Sequence, residues 1–273
     1  MIDNMSRKDY RKRRPRIDTL KRGVYILPNF LTSMGLFCGF FSIISTMQGD
    51  YLRAAWAIVI AGVFDGLDGR IARMTNTTSK FGVEYDSLAD LVAFGVAPAL
   101  LSYAWVLDQY GRLGWLAAFL YVACGAVRLA RFNVMTDIVK SSHFQGLPIP
   151  GAAGMVSTTV IFCFHFNFVD KVPLSIIFVL LIFFLAFLMV SSIKFSSFKA
   201  LDLKAKKPIS AVVLVIMLIV IIAAEPQIML FCIGIIYLVS GLMFHVRDKL
   251  KRRKVKDCNI STLEGKDGGN CEK

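Results

Sequence analysis

Charge is scarce in this chain of 273 residues: Asp, Glu, Lys and Arg together make up 19%. Soluble domains carry about a quarter. Histidine is scarcer still, with three copies, His143, His165 and His245, far apart from one another. That argues against an imidazole-built metal site and leaves each as a structural or membrane-edge residue. The six cysteines (Cys38, Cys124, Cys163, Cys232, Cys258 and Cys271) contain no CxxC pair, and four of them fall inside apolar runs. Neither a zinc centre nor a disulfide framework is expected from them. No internal repeat is visible, so nothing points to an inverted-repeat transporter.

What the chain has in excess is apolar surface, at 56% of residues. A soluble core of this length has no means of hiding so much, so the chain reads as an integral membrane protein. Eight apolar runs are long enough, or nearly so, to cross a ~30 Å hydrocarbon layer. They cover residues 27–47, 52–74, 86–107, 113–133, 149–169, 172–193, 209–224 and 228–246. The seventh is the shortest, and Glu225-Pro226 separates it from the eighth. The expected fold is therefore all-α, with about eight transmembrane helices.

The formal net charge is +13, and its placement is informative. With the N-terminus inside and the sides alternating, 29 of the 32 Lys and Arg fall on the inner side. Only Arg53, Arg112 and Lys171 fall outside. Such a bias predicts a multi-pass protein of the cell membrane with both termini cytoplasmic. The basic run from Arg7 to Arg22 reads as a topology signal that also attracts anionic membrane lipid. No folded nucleic-acid module accompanies it, so nucleic acid is not an expected partner. The first apolar run follows this basic segment and is long enough to span, so it reads as a span and not as a cleaved leader. The polar tail after Lys256, with Gly268-Gly269, is expected to be disordered.

Chemistry concentrates between residues 65 and 90. Asp65 and Asp68 are three apart, and Asp86 and Asp90 four apart, so each pair shares one helix face. The short polar stretch from Thr75 to Gly82 can return the chain, which lets the four carboxylates converge. Acids at membrane depth are expensive and default to function. Unneutralised, they would repel one another. Arg70 and Arg73 would offset part of that, and a divalent cation would do so better. An all-oxygen donor set suits Mg²⁺, Mn²⁺ or Ca²⁺. Two such ions bridged by carboxylates are a known device for phosphoryl displacement. Gly66, Gly69 and Ala72 leave room along the same helix for a bulky group, and Arg73 and Lys80 suit a phosphate. A buried salt-bridge network would use some of the same residues, but Asp86 and Asp90 at helical spacing favour a site.

The spacing D-x2-D-G-x2-A-R-x8-G-x3-D-x3-D is met by Asp65, Asp68, Gly69, Ala72, Arg73, Gly82, Asp86 and Asp90. It resembles the signature of the CDP-alcohol phosphatidyltransferases. That resemblance implies transfer of a phosphatidyl group from a CDP-linked lipid to an alcohol, with CMP released. It implies that Asp65, Asp68 and Asp86 ligate metal, and that Asp90 is both a ligand and the general base for the incoming hydroxyl. Asp68, Gly69, Ala72, Arg73 and Gly82 would hold the CDP moiety. Pro28-Asn29-Phe30-Leu31-Thr32 resembles another family element, in which Asn29 touches the nucleotide. Its plain alternative is a helix start with proline at the boundary.

Two further stretches bear on the acceptor. Cys124 to Asn133 carries Arg128 and Arg131 three apart, which suits a carboxylate or phosphate ligand, though snorkelling to lipid headgroups would look the same. Phe144 to Ala153 contains Gly146-Leu147-Pro148-Ile149-Pro150-Gly151, a rigid re-entry beside the same face. Both resemble the phosphatidylserine synthases of the membrane-integral bacterial and archaeal type. On that likeness the substrates are CDP-diacylglycerol and L-serine, with Arg128, Arg131 and Asn133 as acceptor-binding candidates. Mg²⁺ or Mn²⁺ would be the cofactor, and the assembly a homodimer. Glycerol-3-phosphate or inositol phosphate is the alternative acceptor, and a divalent-cation transporter the alternative of another class. The expected division is a basic segment at 1–24, a catalytic six-span domain at 25–200, two further spans at 201–247 and a polar tail at 248–273. The spans after residue 200 carry no usable motif and would supply contacts for the homodimer.

Overall fold

The computed structural model describes residues 15–75, 79–138, 146–168, 172–191 and 224–263. Among these residues every regular element is helical. We label them α1 (Pro15–Met47), α2 (Tyr51–Thr75), α3 (Lys80–Asp90), α4 (Ala97–Trp105), α5 (Arg112–Ile138), α6 (Ile149–His165), α7 (Val172–Val190) and α8 (Pro226–Leu263). A π-helical turn, Leu91–Val96, joins α3 to α4, so these form one interrupted rod. Seven of the eight expected apolar runs coincide with helices. The seventh run, 209–224, falls almost wholly outside the described residues.

α1 and α2 form an antiparallel pair because their connection is tight. Gly49 takes φ +80° and lets Asp50 N–H reach Ser45 O at 2.9 Å while Gly49 N–H reaches Thr46 O at 3.0 Å. These paired bonds close the last turn of α1, and a left-handed residue is what they require. Asp50 then starts α2 by accepting from Arg53 N–H at 3.2 Å.

α1 also packs on α3 and α4, α2 on α6, α5 on α7, and α6 on α8. Small residues make these approaches possible, as is common between helices in lipid. Ala54, Ala55 and Ala61 of α2 are fully buried, as are Ala152 and Ala153 of α6. Gly39 of α1 shows how tight the fit is: a Cβ there would lie 2.6 Å from Ala93 Cα. Large apolar side chains point outward instead. Phe37, Phe40, Phe119, Phe187 and Ile236 are each more than half exposed. Only a hydrocarbon solvent suits such a surface, so this is a multi-pass membrane protein.

Two sequence expectations need correction. Pro28 lies inside α1, not at its start, and the helix already runs from Pro15 through the basic segment. Thr32 Oγ1 lies 3.1 Å from Pro28 O, a side-chain bond that supplements the ladder beside the missing N–H. At the other end, α8 continues to Leu263, so residues 257–263 are helical where disorder is expected. The basic stretch after Val246 contains neither Gly nor Pro before Gly265, and Lys, Arg and Leu propagate a helix already nucleated in the span.

Candidate active site

The acids meet where α2 and α3 run side by side. Ser79 starts α3 by accepting Gly82 N–H on its hydroxyl at 3.0 Å, which fixes the direction of the rod that carries Asp86 and Asp90. The carboxylate oxygens of Asp65, Asp68 and Asp86 lie within 4.8 Å of one another. Asp90 lines the same cleft without joining that trio. The π turn begins directly after Asp90, and such turns cluster at functional sites. Its freed backbone is partly met by Tyr121, whose hydroxyl donates to Phe94 O at 3.3 Å.

The walls of the cleft are small or apolar, with Leu36, Ala61, Ala93 and Phe94 among them. In that setting the carboxylates act on one another strongly. Asp90 is repelled by Asp65, Asp86 and Asp68, and Arg128 of α5 is the opposing charge. Arg128 acts on Asp65 as well. Four carboxylates against one such guanidinium leave a negative pocket of hard oxygen donors. These residues fit a divalent cation of the Mg²⁺ or Mn²⁺ type.

Asp68 is the most constrained of the four. It is 5% exposed. Thr32 Oγ1 lies 2.9 Å from its Oδ2, and Gly69 N–H donates to the same carboxylate. Thr32 is a site residue that the sequence pattern does not single out, although its motif is in view. A hydroxyl four residues after Pro28 looks like a helix-start residue and nothing more.

Of the nucleotide candidates, Asn29 and Gly82 are neighbours. Asn29 Oδ1 lies 3.4 Å from where a Cβ on Gly82 would stand. Ser33 Oγ donates to Asn29 O at 2.8 Å and meets Tyr85 Oη at 2.8 Å, so Tyr85 is left to donate and ties α3 to α1. Gly66 faces open space, Ala72 is half-buried and Lys80 is exposed. The Arg73 side chain lies outside the described residues.

The acceptor candidates separate. Arg128 lies within electrostatic range of the acid cluster, and its Nε is buried without a hydrogen-bond partner. Asn133 is bound to α3: its Oδ1 accepts from Ser87 Oγ at 3.2 Å, and its Nδ2 lies 3.4 Å from Glu84 Oε2. Arg131 is exposed. His165 ends α6 edge-on to Phe166 at 4.9 Å, in keeping with a structural role.

Residues 25–174 match the sequence profile of the CDP-alcohol phosphatidyltransferase family. The chain is 39% identical over 220 residues to a Helicobacter pylori protein named CDP-diacylglycerol–serine O-phosphatidyltransferase, covering 81% of this chain and 91% of that one. A Saccharomyces cerevisiae protein of the same name is 36% identical over 55% of this chain and 59% of its own. An archaetidylserine synthase of Methanothermobacter thermautotrophicus is 40% identical over 48% of this chain and 56% of its own.

Proposed function

The chain belongs to the CDP-alcohol phosphatidyltransferase family, and from that premise we propose that it transfers the phosphatidyl group of CDP-diacylglycerol to the hydroxyl of L-serine, giving phosphatidylserine and CMP. The observation that carries this reading is the three-carboxylate trio with Arg128 alongside. The trio is built for phosphoryl transfer, and the guanidinium suits an acceptor that bears a carboxylate.

Asp65, Asp68 and Asp86 would hold divalent cations, Mg²⁺ or Mn²⁺, in a pair. When bound there, such ions neutralise the pyrophosphate and stabilise the departing CMP. The rest falls to the chain's own groups. Asn29, Gly69, Ala72, Lys80 and Gly82 would hold the CDP moiety, with the acyl tails left in lipid, and Arg73 is assigned to it from the motif alone. Arg128 pairs with the serine carboxylate and points the hydroxyl at the cleft. Asp90, outside the trio, takes the hydroxyl proton. The serine oxygen bonds to the phosphatidyl phosphorus while the bond from that phosphorus to the CMP oxygen breaks. Asn133, tied to Ser87 and Glu84, holds α5 against α3 and so supports Arg128. The same reading sets the chain in the cell membrane with both termini cytoplasmic, where 29 of 32 basic residues fall, and assembles it as a homodimer. A transport path finds no support in α6 or α7, neither of which carries an acidic residue.

The test is CMP release from purified protein given CDP-diacylglycerol, Mg²⁺ or Mn²⁺, and serine, glycerol-3-phosphate or inositol phosphate in turn. Release that depends on serine is expected. Release with a polyol phosphate alone would reassign the acceptor.

A further inference from the structure

The rod formed by α3 and α4 is interrupted at Leu91–Val96, and Pro98 bears on why. In an α-helix Phe94 O would accept from the N–H four residues on, but that residue is Pro98, which has none. The ladder widens instead, with Ala97 N–H bonded to Val92 O. A donor for Phe94 O comes from α5, where the Tyr121 hydroxyl lies 3.3 Å away on a fully buried side chain. Phe94 is 2% exposed, so water cannot take the place of the phenol at low cost. From another side α1 presses on the same turn: a Cβ on Gly39 would stand 2.6 Å from Ala93 Cα.

This turn forms part of the cleft. Asp90, Ala93 and Phe94 line it together with Asp65, Asp68 and Asp86. Asp90 stands directly before the turn, whereas Ala97 and Leu101, beyond it, are fully buried and fixed in the core. A π turn holds one residue more than an α turn, and one residue of α-helix is about 100° of rotation. Relaxation to α geometry would therefore set the two ends of the rod out of register by about that angle. The start of α3 has no freedom to follow. Tyr85 Oη is tied to Ser33 Oγ of α1 at 2.8 Å, and Ser87 Oγ to Asn133 Oδ1 of α5 at 3.2 Å. The mismatch would fall on the residues between these anchors and the turn, Asp90 first among them, and spare Asp86 within the trio.

Resting on the proposed role of Asp90 as the base, we infer that Tyr121 is a positioning residue for Asp90: through the Phe94 carbonyl its phenol holds the π turn, and the turn holds the carboxylate in the wall of the cleft. The experiment uses the full-length protein in detergent with CDP-diacylglycerol, serine and Mn²⁺, and kcat is counted per site that binds CDP-diacylglycerol. Tyr121→Phe removes one oxygen and keeps the ring. It is expected to lower kcat about fivefold, the size of one hydrogen bond between uncharged groups. The KM for each substrate and the Mn²⁺ half-saturation stay as in the unaltered protein, because the trio keeps its own ties. Phe231→Leu is the packing control. It disturbs the stack of Phe231 on Phe162, whose centroids lie 4.4 Å apart, so it lowers the melting temperature and leaves kcat per site in place. On the slow residual turnover of Asp90→Asn, Tyr121→Phe has little further effect, because the two residues act as one unit.

An unchanged kcat in Tyr121→Phe would overturn the inference. So would a raised KM, a shifted Mn²⁺ curve, an equal fall of kcat in Phe231→Leu, or an undiminished effect in the Asp90→Asn background. Full turnover in Asp90→Asn alone would instead sink the reading of Asp90 as the base, and this inference with it.

Discussion

Thr32→Val tests the construction of the site without touching a carboxylate. The exchange is nearly isosteric and removes the oxygen that lies 2.9 Å from Asp68 Oδ2. Asp68 is 5% exposed, so water cannot replace the lost donor at low cost. A hydrogen bond to a charged group is worth about 1.5–3 kcal/mol, and leaving a buried acceptor short costs a similar amount. Part of this will be recovered through Gly69 N–H, which still donates to the same carboxylate. The lower figure is therefore the better expectation, about 1.5 kcal/mol, or roughly tenfold. Partners that orient a metal-ligating carboxylate typically contribute ~10–100-fold to metal affinity, which brackets the same value.

The assay is CMP release titrated with Mn²⁺ at saturating lipid and serine. Thr32→Val is expected to raise the Mn²⁺ half-saturation about tenfold while the rate at saturating Mn²⁺ stays within a few-fold. Thr32→Ser, which keeps the hydroxyl, should stay near the unaltered protein. The same hydroxyl lies 3.1 Å from Pro28 O, so two acceptors compete for one proton. A Mn²⁺ curve unchanged in Thr32→Val would mean that the proton goes to Pro28 and that Asp68 is oriented by the backbone alone. Thr32 would then have no part in presenting Asp68 to the metal.

Other consequences are as direct. Asp90→Asn is expected to cut turnover by roughly 10²–10⁴-fold, the usual contribution of a general base, while CDP-diacylglycerol still binds; substantial residual turnover would remove Asp90 from that role. Chelation with EDTA should abolish CMP release, and added Mn²⁺ should restore it, because the donor set is all carboxylate; activity that survives exhaustive chelation would contradict the assignment of the trio. Gly39→Ala places a methyl 2.6 Å from Ala93 Cα, a backbone atom that cannot swing away. Overpacking of this kind costs about 1–3 kcal/mol, so the melting temperature in detergent should fall, and an unaltered melt would show that α1 and the π turn have slack.

The acid cluster is legible in the sequence because helical spacing is a local property. Asp65 and Asp68, then Asp86 and Asp90, announce their faces within a few residues, and Ser79 and Gly82 announce the turn that brings them together. Charge bias and run length carry the membrane reading for the same reason: they survive ignorance of packing. What stays hidden depends on pairings between distant segments. Asp90 and Asp65 both look like ligands, and only the approach of α2 to α3 separates a trio from a fourth carboxylate set apart. Asn133 looks like a substrate contact because an amide near two arginines has no other visible purpose, and its bond to Ser87, 46 residues earlier in the chain, is visible only in the packing. Tyr237 is less legible still. An aromatic in an apolar run is ordinary lipid-facing stock, yet its Cε1 stands 3.3 Å from where a Cβ on Gly151, in a distant motif, would lie. Sequence pattern therefore reports chemistry that a single helix or hairpin can assemble. Where a side chain is placed by a helix far away in the chain, the pattern falls silent and the packing has to be read instead.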